Sequence, residues 1–260
     1  MKKIFALMLL ATISTSAHSD ADDLAKQLTN PVADLVSMPV QINYDSGFGS
    51  EDGHRLAINV QPVIPIEINN DWNVISRTII PLIEQHNIVG NSGSQSGIGD
   101  IVQSLFFSPK AATASGWIWG AGPALLIPTA SNELLGTEKW AAGPTAVFLK
   151  MDNEWTYGML ANHLWDYAGE PDRADLNASF IQPFVSYTNR GWTYTLQTES
   201  TYDWENQEWA VPINGILSKV LRIGQLPVSF AVGARYWADA PENGAEGWGG
   251  RFSITAMLPK

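Results

Sequence analysis

The 260-residue sequence contains no cysteine. That excludes a disulfide scaffold, a thiolate zinc or iron–sulfur site and thiol catalysis. Positive charge is scarce as well: 15 Lys and Arg stand against 26 Asp and Glu, for a net charge of −11. A nucleic-acid partner is therefore excluded, because phosphate binding needs clustered cations. Only 16% of residues are charged while 45% are apolar, too greasy a mixture for a disordered chain. Beyond the first residues there is no uninterrupted apolar run long enough to cross a bilayer as a helix.

What is present begins with an export signal. Lys2 and Lys3 precede an apolar stretch from Ile4 to Ile13, and Ala17-His18-Ser19 supplies a small-x-small cleavage site. Residues 1–19 are thus expected to be a signal peptide. An exported chain without a spanning helix is either soluble or a transmembrane β-barrel, and the strand pattern discriminates.

Alternation with period two recurs along the chain. Trp192, Tyr194, Leu196, Tyr202 and Trp204 oppose Thr193, Thr195, Gln197, Glu199, Thr201 and Asp203. Met38, Val40, Ile42 and Tyr44 oppose Ser37, Gln41, Asn43 and Asp45. Twelve strands follow: 36–45, 54–68, 71–84, 98–107, 116–128, 138–151, 154–167, 174–188, 191–204, 209–222, 225–239 and 247–258. Nearly all exceed the 9–11 residues or so that cross a membrane at a tilt, and the even count suits a single-chain bacterial barrel. The links alternate between tight turns (Asn69–Asn70, Asp152–Asn153, Asn189–Arg190, Ile223–Gly224) and longer Gly- and acid-rich segments, with Ser108–Ser115 the exception, a turn longer than its place predicts. Short periplasmic turns and long outer loops produce that parity, whereas a soluble sandwich has no reason to. Tryptophans cluster near strand ends, at the depth where an indole finds both apolar contact and water. Trp237 is counted among them. Prolines at 62, 65, 81, 123, 144, 183 and 212 suggest bulges. In 71–84, Arg77 shares a face with Ile75, Ile79 and Ile83, so alternation alone does not assign that strand.

The fold expected is all-β, a single antiparallel transmembrane barrel over residues 36–260. Residues 20–35 form a periplasmic leader or a plug, helical at the start, with Leu24 and Leu28 on one face and Pro31 as a stop. With the apolar sets facing lipid, the lumen receives polar residues, among them Arg55, Glu67, Glu199, Asp203, Arg222, Arg235 and Arg251. These line a polar path or pair across the lumen and fill it. Glu51, Asp52, Glu133, Glu138 and their loop neighbours read as a solvated acidic surface, and Gly90–Gly99 as a flexible loop.

A set of motifs carries a resemblance: Gly120-Ala121-Gly122-Pro123 with Ile127-Pro128-Thr129-Ala130, Lys139-Trp140 with Gly143-Pro144, and Ile181-Gln182-Pro183-Phe184. Gly191-Trp192-Thr193-Tyr194, Trp209-x-x-Pro212-x-Asn214 and Pro227-Val228-Ser229 with Gly233-x-x-Tyr236 complete it. From about Gly97 to Pro259 the chain resembles the outer-membrane transporter family named for a MetA pathway of phenol degradation. The resemblance implies an outer-membrane barrel and a conduit for small molecules, including aromatic ones. Such barrels often end on an aromatic residue; here Leu258 takes that place.

The reading from sequence is therefore a Gram-negative outer-membrane pore or transporter without cofactor, metal or catalytic residues. Its partners are outer-membrane lipids and lipopolysaccharide, the barrel assembly machinery and small solutes. A structural barrel with a filled lumen is the first alternative. A lipid hydrolase is the second; it calls for His and Ser two apart on one strand, and none of His54, His86 and His163 has such a serine.

Overall fold

The computed structural model describes residues 21–258. The expected signal peptide and the terminal Pro259-Lys260 lie outside the described residues. One antiparallel sheet holds every strand and closes on itself. Taking pieces joined in line as one, it has twelve staves, in sequence order around the ring. They are β1 (Val36–Phe48), β2 (Gly53–Val60 and Val63–Glu67), β3 (Trp72–His86), β4 (Ser94–Ile98 and Ile101–Pro109), β5 (Trp117–Ile127) and β6 (Lys139–Asp152). The other six are β7 (Trp155–Gly169), β8 (Asn177–Asn189), β9 (Trp192–Thr198 and Ser200–Asp203), β10 (Glu208–Ile223), β11 (Leu226–Asp239) and β12 (Gly247–Leu258). Closure runs between β1 and β12, in register from Val36 opposite Leu258 to Tyr44 opposite Gly250. With no edge left, every strand can satisfy its backbone within hydrocarbon.

The faces are inverted relative to a soluble protein. Leu196, Tyr194, Val232 and Trp248 stand outward and exposed, whereas Asn43, Gln85, Thr156, Asn214 and Arg251 are buried inside. Only a hydrocarbon solvent makes that arrangement favourable, which marks a transmembrane barrel of the outer-membrane type.

Three of the tight hairpins at the chain-start end use left-handed backbone, with φ of 52° at Asn153, 53° at Arg190 and 64° at Gly224, while the turn at Asn69–Asn70 does not. On that same side the N-terminus enters the barrel. The opposite end carries longer loops, two of them more ordered than expected. Ser94–Ile98 continues β4 by pairing with β3, so the second half of Gly90–Gly99 is strand rather than flexible loop. Gln85 Nε2 helps to hold it by donating to Gln95 Oε1 at 3.2 Å.

The prolines interrupt hydrogen bonds without generally moving the register. At Pro62, at the facing pair Pro123 and Pro144, and at Pro183, the pairing is the same before and after the gap. A missing N–H costs one rung, and the neighbouring rungs keep the strands aligned. Shifts occur at Ser46/Phe48, Trp140/Ala141 and Val211/Pro212, and at Pro81, where Ile79 faces Val102 but Leu82 faces Ile98, all toward the loop end. Two of the prolines, Pro81 and Pro212, fall at these positions.

Candidate functional site: the lumen

Alternation makes the interior, and the twelve strands give it two dissimilar walls. One is charged. On β9, Glu199 Oε2 accepts from Arg235 Nη2 at 2.7 Å and from Arg251 Nη2 at 2.6 Å. Arg235 on β11 also donates through Nη1 to Asp45 on β1 at 2.9 Å, and through Nε to Asn214 on β10 at 3.0 Å. Arg251 on β12 donates through Nε to Asn43 at 2.7 Å. Trp237 closes the network, its Nε1 donating to Asp45 Oδ1 at 2.9 Å. This tryptophan is therefore a lumen residue and not part of an aromatic belt; it follows Arg235 by two and so shares its face. The belts use outward residues such as Trp155, Trp165, Trp204 and Trp248 instead.

The other wall is apolar. Ile75, Phe106, Val147, Leu149 and Leu160, from β3, β4, β6 and β7, form one cluster with Val32 of the N-terminal segment, joined by Phe180 and Phe184 of β8. The question left by 71–84 is thereby answered: Ile75, Arg77 and Ile79 all face inward, Ile75 buried in this cluster and the other two lining the lumen. Arg77 Nη2 donates to Gln61 Oε1 at 2.9 Å.

Between the walls lies a cavity of about 610 Å³, lined by Gln61, Arg77, Phe180, Phe184, Glu199 and Arg251 among others. Its periplasmic floor is the N-terminal segment. Residues 21–28 are helical, and Leu24, Ala25, Leu28 and Leu35 pack with Val220 and Met257. Asp22 accepts a short hydrogen bond from the Gly191 amide at the β8–β9 turn. Asp34 Oδ1 accepts from Asn73 Nδ2 at 3.1 Å.

The outer mouth is narrowed by the loop between β5 and β6, which turns inward through a short 3₁₀ helix, Glu133–Leu135, capped by Asn132. Asp100 accepts from the amide and hydroxyl of Thr137 at 2.6 and 2.8 Å. Gln85 Nε2 donates to the Leu134 carbonyl at 3.0 Å, and Arg173 Nη2 to those of Glu133 and Gly136 at 2.8 and 2.7 Å. Leu135 is buried there.

Of the charged residues expected in the lumen, the structure brings together Glu199, Arg235 and Arg251. Arg55 faces the same interior beyond them, its Nε donating to Gln85 Oε1 at 3.0 Å. The remaining three sit at the rims. Glu67 pairs with Lys110 at 3.0 Å beside a periplasmic turn. Arg222 is exposed near the Gly224 turn. Asp203 Oδ1 caps the β9–β10 loop, accepting from the amides of Glu205 and Asn206 at 2.9 and 3.2 Å. Asn43, Asp45, Arg77 and Trp237 complete the charged region without having been singled out. Asn43 and Asp45 were legible, lying on the polar side of the first strand; Arg77 was masked by its isoleucines.

No known family profile matches the chain, and no curated protein matches its sequence. Solved structures do share its fold. The COG4313 outer membrane channel from Pseudomonas putida F1 superposes with a TM-score of 0.68 at 13% identity, over 86% of this chain and 96% of that one. The NanC porin gives 0.51 at 11% identity over 86% and 100%. Outer membrane phospholipase A from Escherichia coli gives 0.50 at 10% identity over 86% and 90%. At such identities the likeness is one of fold, and the fold is that of bacterial outer-membrane barrels.

Proposed function

We propose that the protein is a passive outer-membrane channel for small molecules that combine an apolar body with a polar or charged group, aromatic compounds among them. The observation that carries this is the cavity of about 610 Å³ between an apolar wall and an arginine–carboxylate wall. Its volume is in the range that holds a drug-sized molecule. Phe180 and Phe184 give the cavity an aromatic surface for the apolar body of such a solute. The likeness of fold to a COG4313 channel and the NanC porin supports transport, and the resemblance to the MetA-pathway family supports aromatic solutes. In this reading residues 1–19 are the export signal, residues 20–35 the plug and residues 36–260 the conduit. Assembly machinery, lipids and lipopolysaccharide are its partners in the envelope.

A second reading has a specific observation behind it. Both ends are occupied, by the N-terminal segment and by the Glu133–Leu135 loop, as a structural barrel with a filled lumen requires. Liposome swelling separates the two. A channel admits benzoate faster than a sugar of similar mass, whereas a filled barrel admits neither.

A further inference from the structure

The lipid face of a barrel has little place for hydrogen-bonding side chains, because hydrocarbon offers them no partner and their presence marks function by default. Two clusters depart from this: Gln103 with Thr78 and Ser76, whose side chains bond one another, and a second on β7 and β8 whose polar atoms are not all satisfied. His163 on β7 and Ser179 on β8 are direct register partners. Both stand outward, since their neighbours Asn162 and Phe180 line the lumen. His163 Nδ1 lies 2.7 Å from Ser179 Oγ, and Trp204 Nε1 donates to the same oxygen at 2.9 Å. The Trp165 ring covers the imidazole, 3.9 Å between centroids. Trp165 and Trp204 belong to the aromatic belt at the loop end, so the pair sits at the outer hydrocarbon boundary, beside the lipid ester groups.

The cluster is unlike an incidental surface contact. His86 Nδ1 and Ser94 Oγ also lie 2.9 Å apart, but on an exposed hairpin beyond the apolar band. At His163, Nε2 is buried without a partner, and so is Oδ1 of Asn177, two residues before Ser179 on the same face. A buried imidazole nitrogen left without a partner is costly for a merely structural contact.

We propose that Ser179 and His163 are a nucleophile and general base directed at the acyl esters of surrounding lipid, an activity separate from conduction through the lumen. In the tautomer protonated at Nε2, Nδ1 accepts the serine proton while the Trp204 N–H holds Oγ in place. Oγ attacks the ester carbonyl carbon, and the bond from that carbon to the alcohol oxygen breaks. The proton taken by Nδ1 passes to the departing oxygen, leaving an acyl-serine ester and a lysolipid. Water from the headgroup layer then attacks the acyl carbon and gives a proton to Nδ1. The bond to Oγ breaks, the fatty acid leaves, and Oγ recovers the proton. Ester and water are the only reactants.

The test is covalent labelling of the folded barrel with a fluorophosphonate probe, with fatty-acid release from phosphatidylethanolamine–phosphatidylglycerol vesicles as the second readout. The wild type should carry one adduct, mapped by mass spectrometry to Ser179, a result that needs no variant. Ser179→Ala should lose the adduct and fatty-acid release, and His163→Ala should label at least about 100-fold more slowly, the contribution of a general base. Ser94→Ala should label as the wild type does. Heat-modifiable gel mobility reports that each variant is folded. A folded wild type that stays unlabelled, an adduct at another residue, or undiminished labelling of Ser179→Ala overturns the proposal. Because Ser179 is outside the lumen, conductance is unaffected by either outcome.

Discussion

At the scale of residues, Glu199 carries the most consequence. Its carboxylate neutralises two guanidinium groups from strands two and three places away around the ring. Asp45 pairs with Arg235 and accepts from the Trp237 indole. Changing Glu199→Gln leaves Arg251 without an anionic partner in a nearly buried position, and breaking a buried ion pair costs about 3–5 kcal/mol. The variant should lose about that much unfolding free energy and unfold at a lower denaturant concentration, and its reversal potential should move toward anions, because the lumen gains positive charge. Unchanged stability would mean that water screens the network. The sequence indicated which face each of these residues takes, since alternation fixes it. It did not indicate the partners, which depend on how far each strand is staggered against the next. The hydrogen bond between His163 and Ser179 escaped for the same reason: a search along one strand does not see a pair formed across two.

At the scale of elements, twelve strands and their turn parity were readable because each strand is long and each tight turn has a residue suited to left-handed backbone. The role of the prolines was not, since whether a lost rung moves the register depends on the rungs beside it. The facing pair Pro123 and Pro144 shows what does matter there: a Cβ on adjacent Gly143 would come within 1.8 Å of the His163 carbonyl oxygen. Gly143→Ala should therefore lower the temperature at which the barrel loses its heat-modifiable mobility, while Gly250→Ala, with open space around it, should not. Face assignment has its own test in β9. Leu196→Arg places a charge in hydrocarbon at a cost of about 2–4 kcal/mol near the midplane and should impair assembly; Gln197→Arg faces the lumen and should assemble. Equal yields would contradict the inside-out arrangement. Beyond the membrane, where hydrocarbon no longer enforces alternation, the hairpin at Ser94–Ile98 and the inward fold of the Glu133 loop gave little signal.

At the scale of the whole molecule, closure of the sheet produces both the lipid-facing exterior and the two-walled interior, and the N-terminal segment occupies one end of that interior. The segment is held by a few contacts: a helix face on Val220 and Met257, Val32 in the apolar wall, Asp22 on the Gly191 amide. None of its residues adds a strand, so its removal leaves the ring intact. The most direct measurement is planar-bilayer recording of the mature protein and of a version lacking residues 21–34. The account predicts discrete conductance steps that become larger when the segment is gone. A barrel shown to be folded and inserted that stays silent in both forms would contradict it, and would leave a filled, structural barrel in its place.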